Sequence, residues 1–495
     1  MSNHFLNELI NPESVAFYGA NNKASGIGTL QLMGLIVYGY KGKIYPIHLS
    51  LDNVMGLKAY KSIKDVPEVP DLVVIVLPPK VVPQIFEECG QKGVKNIILI
   101  SGGFREMTGD RENSLTYQIS NIAKKYGMRF IGPNCLGIYN GWYDPEDENS
   151  IFNTAIWEKI QRGYFSIASQ SGTLASHIWF DPRNLDLGLS RSISVGNEAN
   201  VDIVDCLEFF KEDDKTRVIG LYIEEIKRGK RFLELAREIT PKKPIIAIHV
   251  GGGTGAADRA IKSHTGSLGG DARIYEGVFK EAGIIKTELV EEYLDTALLL
   301  TRGIYPKGRR LGIITNSGGP GAMIANHAEK CGLVVPEFSK SLKEKLKSML
   351  SKTASYRNPI DSTFDMNLYN YYVALPKTLM RSGEIDVIIM YGVFGFQDVL
   401  KSYISNEQIS SHIDLEQIEK SFDQPLEQIL IKPTIKTSKR YSVPIVYINP
   451  QNFSSSWSKK IRENGGVLFQ FWDRPVRCVA KLCDYSEYRR KFEEM

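Results

Sequence analysis

Histidine and cysteine are both scarce in this chain, seven and six among 495 residues. The cysteines (Cys89, Cys135, Cys206, Cys331, Cys478 and Cys483) form no CxxC pair, and only Cys478 and Cys483 lie close together. That scatter argues against a zinc framework and against a disulfide scaffold, and it fits a reduced cytoplasm. No segment reaches the roughly 18 uninterrupted apolar residues of a membrane span, and Met1 to Pro12 lacks the basic start and apolar run of a secretory signal. A surplus of charge is missing too. The formal value of +4 is small for this length and gives no reason to expect a nucleic-acid partner.

What is present is the composition of a globular protein, 43% hydrophobic and 24% charged, at a length that suits about three domains. Three times an apolar run enters a turn of small residues and then a helical pattern: at Ser14 to Gly28, at Tyr164 to Thr173 and at Leu311 to Gly321. Short apolar runs at Leu72 to Leu77, Asn96 to Ser101, Val218 to Ile223, Pro244 to Val250, Val387 to Tyr391 and Pro444 to Asn449 alternate with helical stretches. This is the pattern of α/β doubly wound parallel sheets. The second and third turns, Ile-Ala-Ser-Gln-Ser-Gly from Ile167 and Ile-Ile-Thr-Asn-Ser-Gly from Ile313, are alike enough to suggest a duplication. Boundaries are expected in the acidic stretch Trp142 to Asn149 and in Gly303 to Arg310, giving domains 1–145, 146–303 and 304–495. The region from Ser402 to Tyr441 is polar and weakly periodic, and reads as a loop-rich insertion or a partner surface.

The stretch Lys262-Ser-His-Thr-Gly-Ser-Leu-Gly-Gly270 isolates one imidazole, His264, among hydroxyls and glycines. Without a second histidine or a cysteine beside it, His264 is a poor metal ligand and a reasonable nucleophile toward phosphorus. A surface loop histidine is the plain alternative. In the first turn Gly19, Ser25, Gly26 and Gly28 lie between a strand and a helix, an arrangement that lets backbone amides approach a pyrophosphate, although the spacing departs from GxGxxG and strand-helix packing alone would also call for the glycines. Pro78-Pro79, Ser101-Gly102-Gly103-Phe104 and Gly132-Pro-Asn134-Cys135-Leu-Gly137 end successive strands and outline one crevice at their carboxyl ends. Cys135, amid turn formers, reads as a small buried thiol rather than a nucleophile. At Ser169-Gln170-Ser171-Gly172-Thr173 a helix start offers free amides to a phosphate, or simply caps itself. Glu224 and Glu225 end the strand Leu221 to Ile223; one of them could accept a hydrogen bond from a charged imidazole, and solvated acids at a strand end are the alternative.

Taken in order, Lys41 to Pro46, Gly132 to Gly137, Ser169 to Thr173, Gly196-Asn197, Leu221 to Glu224, Ser263 to Leu268, Asn316 to Gly321 and Asn358 to Asp361 resemble the alpha subunit of ADP-forming acyl-CoA synthetases, relatives of succinyl-CoA synthetase. The resemblance implies an amino-terminal Rossmann-like CoA-binding domain followed by two flavodoxin-like ligase domains. It places His264 on the phosphohistidine, Glu224 or Glu225 on its supporting carboxylate, and Gln170, Ser171, Gly172 and Thr173 on the helix start that receives phosphate. Glu225 departs from the usual glycine. The family also needs an ATP-grasp module, for which this chain has no unassigned stretch; Gly251-Gly-Gly-Thr-Gly255 lacks the GK[ST] ending of a P-loop. The resemblance therefore implies a beta subunit carrying ATP or ADP and Mg2+, a heterotetramer, and a small organic acid as the other substrate. Two rivals are a CoA-binding or acyl-CoA-sensing subunit without turnover, and a nicotinamide-dependent dehydrogenase that rests on the first glycine turn alone.

Overall fold

The computed structural model describes residues 4–104, 114–155, 160–177, 186–252, 271–363, 367–392, 403, 405–412, 427–450 and 453–493. They form two compact units, Met1–Ala297 and Leu298–Met495. In the first, β1 (Ser14–Tyr18) is buried at every position. Val15 and Phe17 enter one apolar cluster while Ala16 and Tyr18 enter another, so the period of two serves two buried faces. Around it β2 (Lys43–Ile47), β3 (Leu72–Ile75), β4 (Asn96–Leu99) and β5 (Arg129–Ile131) form an all-parallel sheet in the order β2-β1-β3-β4-β5.

A second sheet in the same unit holds β6 (Ile138–Asn140), β7 (Phe152–Asn153), β8 (Arg162–Ser169), β9 (Leu189–Ser194), β10 (Val218–Ile223), β11 (Ile245–His249) and β12 (Ile285–Thr287), ordered β12-β11-β10-β8-β9-β6-β7. Its five parallel strands carry the antiparallel pair β6 and β7 on one edge. Thus β6, which precedes the boundary expected at residue 145, hydrogen-bonds into the second sheet. The acidic stretch after it is not a free linker: Asp144 and Asp147 pair with Lys41, and the Trp142 indole donates to Gly163 O at 2.8 Å. One apolar cluster runs from Val15, Phe17 and Val74 to Ile193, Ile219 and Leu221, so the two sheets share a core.

In the second unit β13 (Leu311–Thr315), β14 (Ile360–Asp361), β15 (Val387–Tyr391), β16 (Ile445–Ile448) and β17 (Val467–Phe469) form a third parallel sheet, β14-β13-β15-β16-β17. Counting parallel strands only, all three sheets read 2-1-3-4-5, the flavodoxin-like order. Each order reverses beside its first strand, between β1 and β3, β8 and β10, and β13 and β15. Helices α1 (Ile27–Val37), α2 (Gly172–Ser176) and α3 (Gly318–Lys330) leave those three first strands.

The expectation of a loop-rich insertion after Ser402 fails in part. Residues 413–426 lie outside the described ones, but Lys432–Tyr441 is a helix with Thr434 buried, and Leu430 and Ile431 just before it join the third core. Sparse apolar residues hid a helix whose contact face is narrow. None of the six cysteines, all of them among the described residues, is in a disulfide, and among the described residues no helix is long and apolar enough to cross a membrane.

Candidate functional site

At the switch point of the second sheet β8 ends in Ser169 and β10 in Ile223, and one side chain ties together the turns beyond these two strand ends. The Gln170 amide oxygen accepts the N–H of Glu224 at 2.5 Å and of Glu225 at 3.1 Å, while its nitrogen donates to Glu225 O at 2.6 Å. The Gln170 N–H donates to Tyr222 O. Gln170, expected among the phosphate ligands, is thus occupied within the protein. Its reach across two strand ends fixes the acid turn, which is a job that a side chain read in isolation does not reveal. Further along that turn Ile226 N donates to the Tyr275 hydroxyl at 3.0 Å. Glu224 and Glu225 are both half-buried; the Glu224 charge raises the Tyr222 phenol and the Glu225 charge raises that of Tyr275, each behind the larger effect of burial.

Ser171 caps α2 by accepting the Leu174 N–H, and its carbonyl accepts the Ser169 hydroxyl at 2.6 Å. The N–H groups of the first turn, Gly172 and Thr173, have no carbonyl one turn earlier to bond. Gly172 is also a point of close approach, since a Cβ there would lie 2.8 Å from the Leu136 side chain. The third sheet repeats the device. Thr315 Oγ1 donates to Ser317 O at 2.8 Å, as Ser169 does to Ser171, and Asn316 packs against Gly392, the first residue after β15, where a Cβ would meet Asn316 Oδ1 at 2.2 Å. Gly392 holds the place that Glu224 holds after β10. The duplication in sequence is a duplication in structure, with the acid on one copy.

The corners of the first sheet are brought together as expected. Gly19 has a φ of +94° and a Cβ there would lie 2.0 Å from Val76 O, while one on Gly28 would lie 2.5 Å from Gly19 O. Both glycines are therefore demanded by packing of strand and helix, whereas Gly26 and the exposed Ser25 sit at the open start of α1. Ser101 Oγ donates to Leu77 O and accepts from Leu77 N, tying its corner to Pro78-Pro79, and Asn134 N donates to Ser101 O at 2.9 Å beside Gly102. Cys135 is buried, donates to Leu99 O, and has its thiol pushed up to about 12 by burial, so it faces the core and is no nucleophile.

Sequence reasoning missed the turn that links the two sites. After β9, Asn197 N donates to Pro133 O and Ala199 N to Gly132 O, while Asn134 Nδ2 reaches Asn197 Oδ1 at 3.3 Å. On its other side Lys227 Nζ donates to Asn197 O at 2.9 Å and Glu198 O at 2.5 Å. Glu198 itself is buried at φ +51°. The pair Gly196-Asn197 was legible as a motif, but nothing local marks the next residue as a buried acid. His264 lies outside the described residues, as does all of 253–270. Among the described residues no group of three His, Cys, Asp or Glu could hold a metal.

Two family descriptions match the chain, "CoA binding domain" over residues 13–141 and "Succinyl-CoA ligase like flavodoxin domain" over residues 162–300. The acetate–CoA ligase [ADP-forming] I subunit alpha of Pyrococcus furiosus is 39% identical over 493 residues, 99% of each chain. This chain belongs to that family of ADP-forming acyl-CoA synthetase alpha subunits. A further member, the acetate–CoA ligase [ADP-forming] of Methanocaldococcus jannaschii, is 42% identical over 352 residues, 71% of this chain but 48% of that protein. A solved structure of the dinucleotide forming acetyl-coenzyme A synthetase 1 of Ca. Korarchaeum cryptofilum, in complex with phosphate and ADP, aligns with a TM-score of 0.78 at 28% identity, covering 99% of this chain and 98% of that one. The alpha-subunit fold accounts for the order of the sheets here, a CoA-binding domain first and a ligase domain next.

Proposed function

We propose that the chain is the alpha half of a reversible acid–thiol ligase that couples acyl-CoA to a phosphorylated histidine and then to ADP. The observation that carries this reading is the acid turn at Glu224 and Glu225, clamped at the switch point of the ligase sheet and joined through Asn197 to the corner Gly132 to Gly137 of the CoA-binding domain. Phosphate attacks the thioester carbonyl, the C–S bond breaks, and CoA leaves as thiolate, giving an acyl phosphate. His264 then attacks phosphorus, the acid departs as carboxylate, and phosphohistidine remains. Glu224, or Glu225 in the alternative register, accepts the N–H on the far ring nitrogen and offsets the imidazolium charge. The amides of Ser171, Gly172 and Thr173 hold the phosphate, with Gln170 positioning the acid rather than touching the anion.

CoA lies along Gly19 to Gly28, Pro78-Pro79, Ser101-Gly102 and Asn134, with Cys135 behind the wall. The chain is read as three domains, 1–145, 146–303 and 304–495, with β6 at the end of the first range pairing into the sheet of the second. ATP or ADP and Mg2+ belong to an ATP-grasp beta subunit, in a heterotetramer working in the cytoplasm on a small organic acid. The name "subunit alpha" of the Pyrococcus furiosus relatives supports a partner subunit. Copurifying the chain with an ATP-grasp partner and testing a panel of acids should give CoA-dependent release of ADP and phosphate. Retained CoA binding with no turnover on any acid would mark a CoA-binding subunit instead.

A further inference from the structure

Three successive backbone N–H groups of the acid turn are taken by side chains from two different elements. Gln170, just past β8, accepts those of Glu224 and Glu225, and the Tyr275 hydroxyl accepts that of Ile226 at 3.0 Å. The next two residues are held through their own side chains: Lys227 donates to the carbonyls of Asn197 and Glu198, and Arg228 Nε donates to Asp202 at 2.7 Å. Of these anchors Tyr275 alone comes from beyond the His264 segment. It stands near the start of the helix Ala272–Ala282, which resumes the described chain after residues 253–270.

The two ends of that interval meet. Gly252 O accepts the Ala272 N–H at 3.4 Å, and His249, at the end of β11, stacks on the Tyr275 ring with centroids 3.7 Å apart and planes at 19°. Phe279, one turn along the helix, meets both rings edge-on. His249 is also the register partner of Ile223, the last residue of β10 before Glu224. The buried His249 Nε2 has no hydrogen-bond partner among the described residues, so the ring face is what holds this imidazole against the helix. Tyr275 is 8% exposed, and a phenol oxygen at that depth needs a partner, which the Ile226 N–H supplies.

We infer that Tyr275 is a positioning residue for the proposed phosphoryl transfer, fixing the place where the His264 segment leaves and rejoins the fold relative to the acid turn. The inference rests on the proposed reaction, in which His264 and Glu224 or Glu225 act on each other. An acid orients an imidazole only at hydrogen-bond distance, so a displacement of about 1 Å between the turn and the stems of the segment is enough to lose the contact. One side chain holds both: the hydroxyl takes the turn, and the ring takes the stem that ends in His249.

The test uses the chain in complex with its ATP-grasp partner. Tyr275→Phe keeps the ring on His249 and removes only the oxygen that takes the Ile226 N–H. It is expected to lower the rate of His264 phosphorylation at saturating acyl-CoA and phosphate about 10 to 100-fold, with the KM for acyl-CoA and the affinity for CoA within about 2-fold of wild type. Combined with whichever of Glu224→Gln and Glu225→Gln is the more damaging, it should add less than about 2-fold to the loss, because Tyr275 acts through that acid. Amide hydrogen exchange at Ile226 should be faster in Tyr275→Phe whether or not the complex turns over. An unchanged phosphorylation rate, unchanged exchange at Ile226, a loss that appears in KM rather than in rate, or a loss that multiplies fully with that of the acid variant would overturn the inference and leave the reaction standing. Absence of phosphohistidine from the wild-type complex would overturn the reaction, and the role of Tyr275 in it as well. His249→Ala, which removes the stacked ring and keeps the hydroxyl, is the second variant should Tyr275→Phe fail to fold: a loss of rate of about 3-fold or more at unchanged KM is expected, and an unchanged rate contradicts the proposal.

Discussion

The amide of Gln170 shows how a side chain's job is set by what ends beside it. From sequence it belonged with Ser171, Gly172 and Thr173 as a phosphate ligand, because it opens a helix start; in the fold it bridges to a turn more than fifty positions away. No pattern of neighbours encodes that partner, since strand adjacency is decided by the whole sheet. The same holds for Glu198, whose carboxyl is raised to about 7 by burial, with Lys227, the Ile203 N–H and Gln170 pulling it back down. The sign of its linkage is definite. A carboxyl raised on folding contributes stability fully present below its ordinary value of about 4.5 and lost as pH rises through about 7, an effect of order 3 kcal/mol. Melting wild type and Glu198→Gln at pH 5 and pH 8 should show the difference shifting toward the variant at the higher pH; parallel pH dependence would mean that Glu198 ionises as an ordinary carboxyl. Of the two turn acids, Glu224→Gln is expected to keep CoA binding and lower phosphohistidine formation about 10 to 100-fold. If Glu225→Gln produces that loss and Glu224→Gln does not, the register shifts by one, and equal activity in both removes the carboxylate from the mechanism.

At the scale of elements, the continuous apolar runs that announced β1, β3, β4, β8, β10, β11, β13, β15 and β16 were legible because a strand buried on both faces needs no alternation. Less could be read where pairing is long-range or the apolar face narrow. The antiparallel edge of β6 and β7 sits beside a stretch that reads as a linker, and Lys432–Tyr441 is too polar for its helix to stand out. The first turn separates two roles that its glycines share on paper. Gly28→Ala would drive a Cβ to 2.5 Å from Gly19 O, against backbone that cannot swing aside, and is expected to cost about 1 to 3 kcal/mol and weaken CoA binding measured by calorimetry. Gly26→Ala meets nothing nearer than Thr29 Oγ1 at 3.8 Å and should cost about 1 kcal/mol or less. Equal effects from both would show that α1 does not depend on the close approach.

Across the whole molecule one strand order is used three times, and the differences lie at the switch points. The first carries glycine corners, the second a clamped pair of acids, and the third the same amide-against-turn packing with Gly392 where an acid stands in the second. Fold was therefore more legible than site: small-residue turns after apolar runs mark every switch point, while the turn that joins the first to the second is visible only once both sheets are in place. The chain by itself is expected neither to make nor to consume ATP, and adding an ATP-grasp subunit should supply nucleotide turnover that depends on CoA; ATP synthesis by the chain alone would remove the need for a partner. The central claim is that a histidine of this chain carries the phosphoryl group. Incubation with acyl-CoA and labelled phosphate should give an acid-labile, base-stable label that is absent from His264→Ala, and an undiminished label in that variant would contradict the account.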